Sequence, residues 1–131
     1  MHIKSLDHLV LTVNSINDTV DFYCHILGME KIVFAENRVA LLFGSQKINL
    51  HERGKEFEPK AQYVRTGSAD LCFIVETPLT SVIAELNHKQ VKIIDGPVMR
   101  TGAQGAIESV YLYDPDGNLI ELSNYIEPSA R

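Results

Sequence analysis

One pattern runs through this 131-residue chain twice. It opens on an alternating apolar strand, passes through an amphipathic helix and continues as three short strands. After an offset of about sixty residues the same order begins again. In the first pass Leu9, Leu11 and Val13 share one face of a strand, and His8, Val10 and Thr12 share the other. Ser15 stands at a helix N-cap with Asp18 three residues on. Ile16, Val20, Tyr23 and Leu27 recur at helical spacing, and Gly28 takes the left-handed position past the end. Strands are expected over Glu30–Ala35, Arg38–Phe43 and Lys47–Glu52, with turns at Glu36-Asn37 and Gly44-Ser45. The second pass predicts a strand over Ala69–Glu76, then a helix with Thr77 as N-cap, Pro78 at its first position, and Leu79, Val82, Ile83 and Leu86 on its apolar face. Strands over Val91–Ile94, Ile107–Tyr113 and Asn118–Asn124 complete it. The charged stretch between the passes, interrupted by Gly54, Pro59 and Gly67, reads as a linker.

A single β-α-β-β-β unit leaves one apolar sheet face uncovered, so it must pair with another unit. The prediction is therefore an α+β fold of two tandem βαβββ modules forming a curved mixed sheet around a concave site. One domain spans residues 1–131, with module one over about residues 1–53, the linker over 54–68 and module two over about 69–127. Length suits one domain, and 45% hydrophobic residues suffice for a core without disulfides. Cys24 and Cys72 form no CxxC and no structural zinc spacing, and each reads as a small buried hydrophobe. A net charge of −5 argues against nucleic acid or an anionic membrane as the main partner. The opening MHIKSLDHLVLTV is not expected to act as a signal peptide, because Asp7 and His8 interrupt its short apolar stretch. No apolar run approaches the ~20 residues that span a bilayer. The expected location is the cytoplasm.

Strand alternation selects the residues for chemistry. If Leu9, Leu11 and Val13, and likewise Leu71, Phe73 and Val75, pack under the helices, then His8 and Asp70 point into the hollow. On the last strand of each pass Ile48 and Leu50, or Ile120 and Leu122, pack inward, which sends Asn49, His51, Glu121 and Ser123 to the same hollow. Mixed imidazole and carboxylate sets of this kind suit Zn, Mn, Fe, Co or Ni. A carboxylate at Glu121, between Ile120 and Leu122, is costly unless it has a partner. Arg100 and the loop Thr101-Gly102-Ala103-Gln104-Gly105 could close over the site, with Arg100 holding a substrate carboxylate or phosphate. His2, His25 and His88 read as surface residues.

The stretch Asp114-Pro115-Asp116-Gly117-Asn118-Leu119-Ile120-Glu121-Leu122 resembles the end of the second module in the vicinal oxygen chelate superfamily. That superfamily includes glyoxalase I, bleomycin- and fosfomycin-resistance proteins, methylmalonyl-CoA epimerases and extradiol dioxygenases. Asp7-His8-Leu9-Val10-Leu11-Thr12-Val13 resembles its opening strand, and Phe22-Tyr23-x-x-x-Leu27-Gly28 the end of its first helix. More narrowly, Ile48-Asn49-Leu50-His51-Glu52, Ser68-Ala69-Asp70-Leu71-Cys72 and Arg100-Thr101-Gly102-Ala103 resemble glyoxalase domain-containing protein 5 and bacterial lactoylglutathione-lyase-like proteins.

The resemblance implies a divalent ion held on the concave face and a small substrate whose adjacent oxygens chelate it. His8 matches the first-strand ligand of module one, and Glu121 the last-strand ligand of module two. Asp70 stands where His is usual. Asn49 stands where glyoxalase I has Glu, and His51 is the alternative at that place. The implied activity is that of a metal-dependent lyase or isomerase similar to lactoylglutathione lyase, with Glu121 or Asp70 as base and a glutathione adduct as candidate substrate. The alternatives are a metal-free drug-binding protein and an Fe(II) ring-cleaving dioxygenase. A homodimer is expected, as small members of this family often complete their sites across a two-fold interface.

Overall fold

A computed structural model describes residues 1–127. It has eight strands and two helices, in the order β1 (His8–Val13), α1 (Ile16–Val20), β2 (Glu30–Phe34), β3 (Arg38–Phe43), β4 (Gln46–Glu52), β5 (Asp70–Ile74), α2 (Leu79–His88), β6 (Asp95–Gly102), β7 (Gly105–Tyr113) and β8 (Leu119–Tyr125). The strands form two four-stranded mixed sheets, ordered β1-β4-β3-β2 and β5-β8-β7-β6. In each, the first strand runs parallel to the last, and hairpins supply the remaining pairs. This is the α+β, twice-repeated arrangement that the sequence pattern predicts. The chain forms two compact units, one of Met1–Ala69 with Pro115–Gly117, the other of Asp70–Asp114 with residues 118–127. No helix among the described residues is long and apolar enough to cross a membrane.

In the first unit Ser15 caps α1 as its sequence suggests, accepting a hydrogen bond from the Asp18 amide at 3.1 Å. The helix then widens into a π-helical stretch over Asp21–Ile26 and ends at Gly28, whose φ of +76° is the left-handed conformation expected there. Leu11, Val13, Ile48 and Leu50 are buried on one face of the sheet, while Tyr23 is buried in the π-helical stretch. Truncating Leu50 to Ala would cost about 2–5 kcal/mol, the usual range for a closed core position.

The second unit departs from the sequence reading at two points. Thr77 is not the cap of α2. Pro78 is, and since its side chain cannot accept a hydrogen bond, β8 supplies the cap instead. The Asn124 Oδ1 accepts from the Leu79 amide at 2.6 Å, and its Nδ2 donates to the Val75 and Thr77 carbonyls at 3.0 Å each. The second strand of this unit lies at Asp95–Gly102 rather than Val91–Ile94. The Val91 amide bonds back to the Leu86 carbonyl and finishes the helix, and the ladder to β7 starts only afterwards. Gly96-Pro97 looks like a break but is absorbed as a register shift between Asp95 and Val98. Gly96 is required there, because its φ is +98° and a Cβ would collide with the Ser109 backbone.

Candidate functional site

In the first unit, the ladder sets His8 beside Lys47, Val10 beside Asn49 and Thr12 beside His51, all on the sheet face opposite the apolar core. His8 stands at the start of β1 with its side chain 41% exposed. Its Nδ1 lies 2.8 Å from Asp7 Oδ2, so the ring donates there and keeps Nε2 for another partner. A carboxylate behind an imidazole is the usual support of a metal-ligating histidine.

His51 is differently placed. It is buried, its Nε2 lies 3.4 Å from the Arg38 guanidinium, and the Phe57 ring meets it edge-on at 5.4 Å. Arg38 also lies 4.3 Å over the Phe57 ring. A guanidinium only donates, so the His51 Nε2 is its acceptor and is already engaged. Burial, reinforced by Arg38, pushes the basicity of His51 below the ordinary histidine value. Between these two histidines Asn49 is buried, and its Oδ1 has no hydrogen-bond partner among the described residues. A buried carbonyl oxygen left this way is costly and suits a place where a bound group supplies the missing partner.

In the second unit Cys72, Glu121 and Tyr111 form one row across three strands, since Cys72 is the ladder partner of Glu121 and Tyr111 pairs with it from the other side. The next row holds Ser123 and Ser109, whose hydroxyls are 2.6 Å apart, with Cys72 Sγ 3.3 Å from Ser123 Oγ. Burial raises the Tyr111 phenol above its ordinary value, the Arg100 guanidinium opposes this, and the neighbouring Glu121 carboxylate adds to the rise. Burial raises the Cys72 thiol as well, with Ser123 opposing and Glu121 adding. Arg100 donates through Nε to Tyr111 Oη at 3.0 Å and through Nη1 to the Met99 carbonyl at 2.9 Å. Arg100, Cys72, Ile74, Gly102, Glu121 and Tyr125 line a cavity of about 360 Å³. Asp70 begins β5 on the same face as Cys72, exposed and outside this cavity's lining.

Two expectations are corrected here. Arg100 lies on β6, not on a loop, and the connection to β7 is a tight turn at Ala103-Gln104. Cys72 is exposed rather than a buried hydrophobe, because it sits on the open face of β5. Tyr111 was not singled out by the sequence. The alternation Ile107, Ser109, Tyr111 along β7 is the signal that places it beside Glu121.

No group of three or more His, Cys, Asp or Glu side chains that could hold a metal is gathered among the described residues. By donor chemistry, the imidazole of His8 in the first unit and the carboxylate of Glu121 in the second are each of a type that binds divalent ions. Asp70 fits as a second carboxylate, whereas His51 is held by Arg38.

Comparison with known proteins supplies the context. The chain is 54% identical to virulence protein STM3117 of Salmonella typhimurium, over 96% of this chain and 88% of that protein. The crystal structure of STM3117 superposes with a TM-score of 0.95, covering 96% of this chain and 100% of that one. This chain is also 26% identical to metallothiol transferase FosB of Staphylococcus saprophyticus, over 92% of this chain and 76% of that protein. The crystal structure of lactoylglutathione lyase from Agrobacterium tumefaciens, 18% identical, shares the fold with a TM-score of 0.71 over 93% of this chain and 94% of that one. Residues 5–122 match the profile of the Glyoxalase/Bleomycin resistance protein/Dioxygenase superfamily, and the chain belongs to that family.

Proposed function

We propose that this chain is a metal-dependent lyase or isomerase similar to glyoxalase I. Its substrate would be a small molecule that chelates the metal through adjacent oxygens, with a glutathione adduct as one candidate. The observation that carries the reading is Glu121, a half-buried carboxylate on the wall of a cavity that also presents Arg100. The name metallothiol transferase, borne by a relative, agrees with a metal and a thiol-bearing partner.

His8 and Glu121 would hold the ion, with Asp70 as a further ligand and His51 as the weaker alternative. A divalent ion held by these residues would supply Lewis-acid polarisation of the substrate oxygens. The chain's own groups do the rest. Glu121 takes a proton from one carbon and returns it to the neighbour, because Asn49 stands where a second Glu would serve. Tyr111 and Cys72 flank that carboxylate from the two neighbouring strands and bound the space it can occupy. Arg100 holds a carboxylate of the substrate, since its guanidinium borders the cavity. Two-fold pairing of chains is part of the proposal, because it brings donors from two copies to one site.

The test is turnover of methylglyoxal with glutathione in the presence of Ni, Co, Mn or Zn. The expected result is a weak, metal-restored rate abolished by EDTA. Tight metal binding without turnover for any of the four would overturn the glyoxalase assignment and point to another chelating substrate.

A further inference from the structure

The first unit contains a second cavity, of about 700 Å³, between the end of β1 and the segment that follows β4. Its lining includes Thr12, Arg53, Glu56, Lys60, Arg65 and Thr66. Three cations against one carboxylate leave a surplus of two positive charges, in a chain whose net charge is −5. The carboxylate is already engaged. Glu56 Oε2 accepts from the Gly54 amide at 2.6 Å, and Oε1 lies 3.3 Å from Lys60 Nζ. Lys60 is also 3.7 Å from Glu58. Arg53 and Arg65 have no carboxylate at ion-pair distance among the described residues.

A lone surface guanidinium is ordinarily just solvated. Two of them around a concavity of this size, with Thr12 and Thr66 hydroxyls beside them, form a different environment. Small-molecule sites commonly occupy roughly 300–1,000 Å³, and guanidinium pairs favour planar or tetrahedral oxyanions. We propose that this cavity binds a small organic dianion, a phosphomonoester or a dicarboxylate, whose negative oxygens bridge Arg53 and Arg65. Thr12 lies four residues from His8 along β1, about 13 Å at ~3.3 Å per residue, so this ligand does not contact His8. Thr12 is the ladder partner of His51, so the inference is separate from the His8 and Glu121 pair of the lyase reading and adjoins only its weaker ligand candidate, His51.

The experiment is calorimetric titration of the full-length protein at low ionic strength with inorganic phosphate, glycerol phosphate and succinate. One saturable site is expected, and a preference between the last two probes decides which source of dianion it serves. Arg53→Ala and Arg65→Ala should each weaken binding by roughly tenfold, the loss typical of one charge-assisted contact. Both side chains are exposed, so the variants should fold, which circular dichroism would check. Glu56→Gln should tighten binding, and Glu121→Ala should leave it unchanged. Three probes with no heat beyond dilution, an Arg53→Ala/Arg65→Ala double variant that binds like the parent, or loss of binding in Glu121→Ala would each overturn the proposal.

Discussion

Arg100 donates its Nε–H to the phenolic oxygen of Tyr111 at 3.0 Å, and Tyr111 is in turn the ladder partner of Glu121. A guanidinium, a phenol and a carboxylate thus stand in series on one sheet face. The guanidinium favours the tyrosinate, while burial and Glu121 disfavour it. Replacing Arg100 by Ala should therefore move the Tyr111 phenol further up. Alkaline titration of tyrosinate absorbance, with Tyr111→Phe to assign the phase, measures this. An unchanged or lowered Tyr111 transition would refute the series.

The Cys72 thiol is raised by burial and by its Glu121 neighbour, and a thiolate is the species that reacts. Although exposed, Cys72 should be alkylated by iodoacetamide more slowly near neutral pH than a free thiol, and the rate should climb as pH rises. Glu121→Gln removes the carboxylate that disfavours the thiolate, so it should speed alkylation at mildly alkaline pH. Equal rates in the parent and in Glu121→Gln would count against their contact.

Asn124 satisfies three backbone groups at the start of α2. Changing it to Ala should lower stability by about 1–2 kcal/mol, the usual cost of a lost cap. Urea unfolding with an unchanged slope would register this as a lower midpoint. A midpoint equal to the parent's would show that the cap contributes nothing.

The Gly54 amide, with Lys60 beside it, holds the Glu56 carboxyl below its ordinary value. A carboxylate with a depressed folded-state value stabilises the fold above its unfolded value and loses that contribution as pH falls through the folded one. Glu56→Gln should accordingly flatten the loss of stability on acidification below about pH 4.5. Parallel pH profiles for parent and variant would contradict this.

Much of the architecture was legible because alternation on a strand is strict. His8, Asn49, His51, Asp70 and Glu121 lie on the sheet faces their spacing implies. What escaped were features set by partners distant in sequence. The position of β6 follows from pairing with the nine-residue β7, and Gly96 makes the required bulge look like a break. The cap of α2 comes from Asn124, some 45 residues away, which local capping rules cannot supply. His51 reads from the sequence as an alternative ligand because nothing there pairs it with Arg38, whereas the antiparallel β3–β4 ladder does.

The proposed two-fold pairing predicts a dimer in solution. Sedimentation at micromolar concentration should show a species of twice the chain mass, and a single species of one chain's mass would exclude the pairing.

The central claim is that His8 and Glu121 hold a divalent ion, and metal content tests it most directly. Elemental analysis of protein purified without added metal should find a stoichiometric divalent ion in the parent. Glu121→Ala and His8→Ala, folded by circular dichroism, should each have lost it. Full metal content in the Glu121→Ala variant would contradict the account.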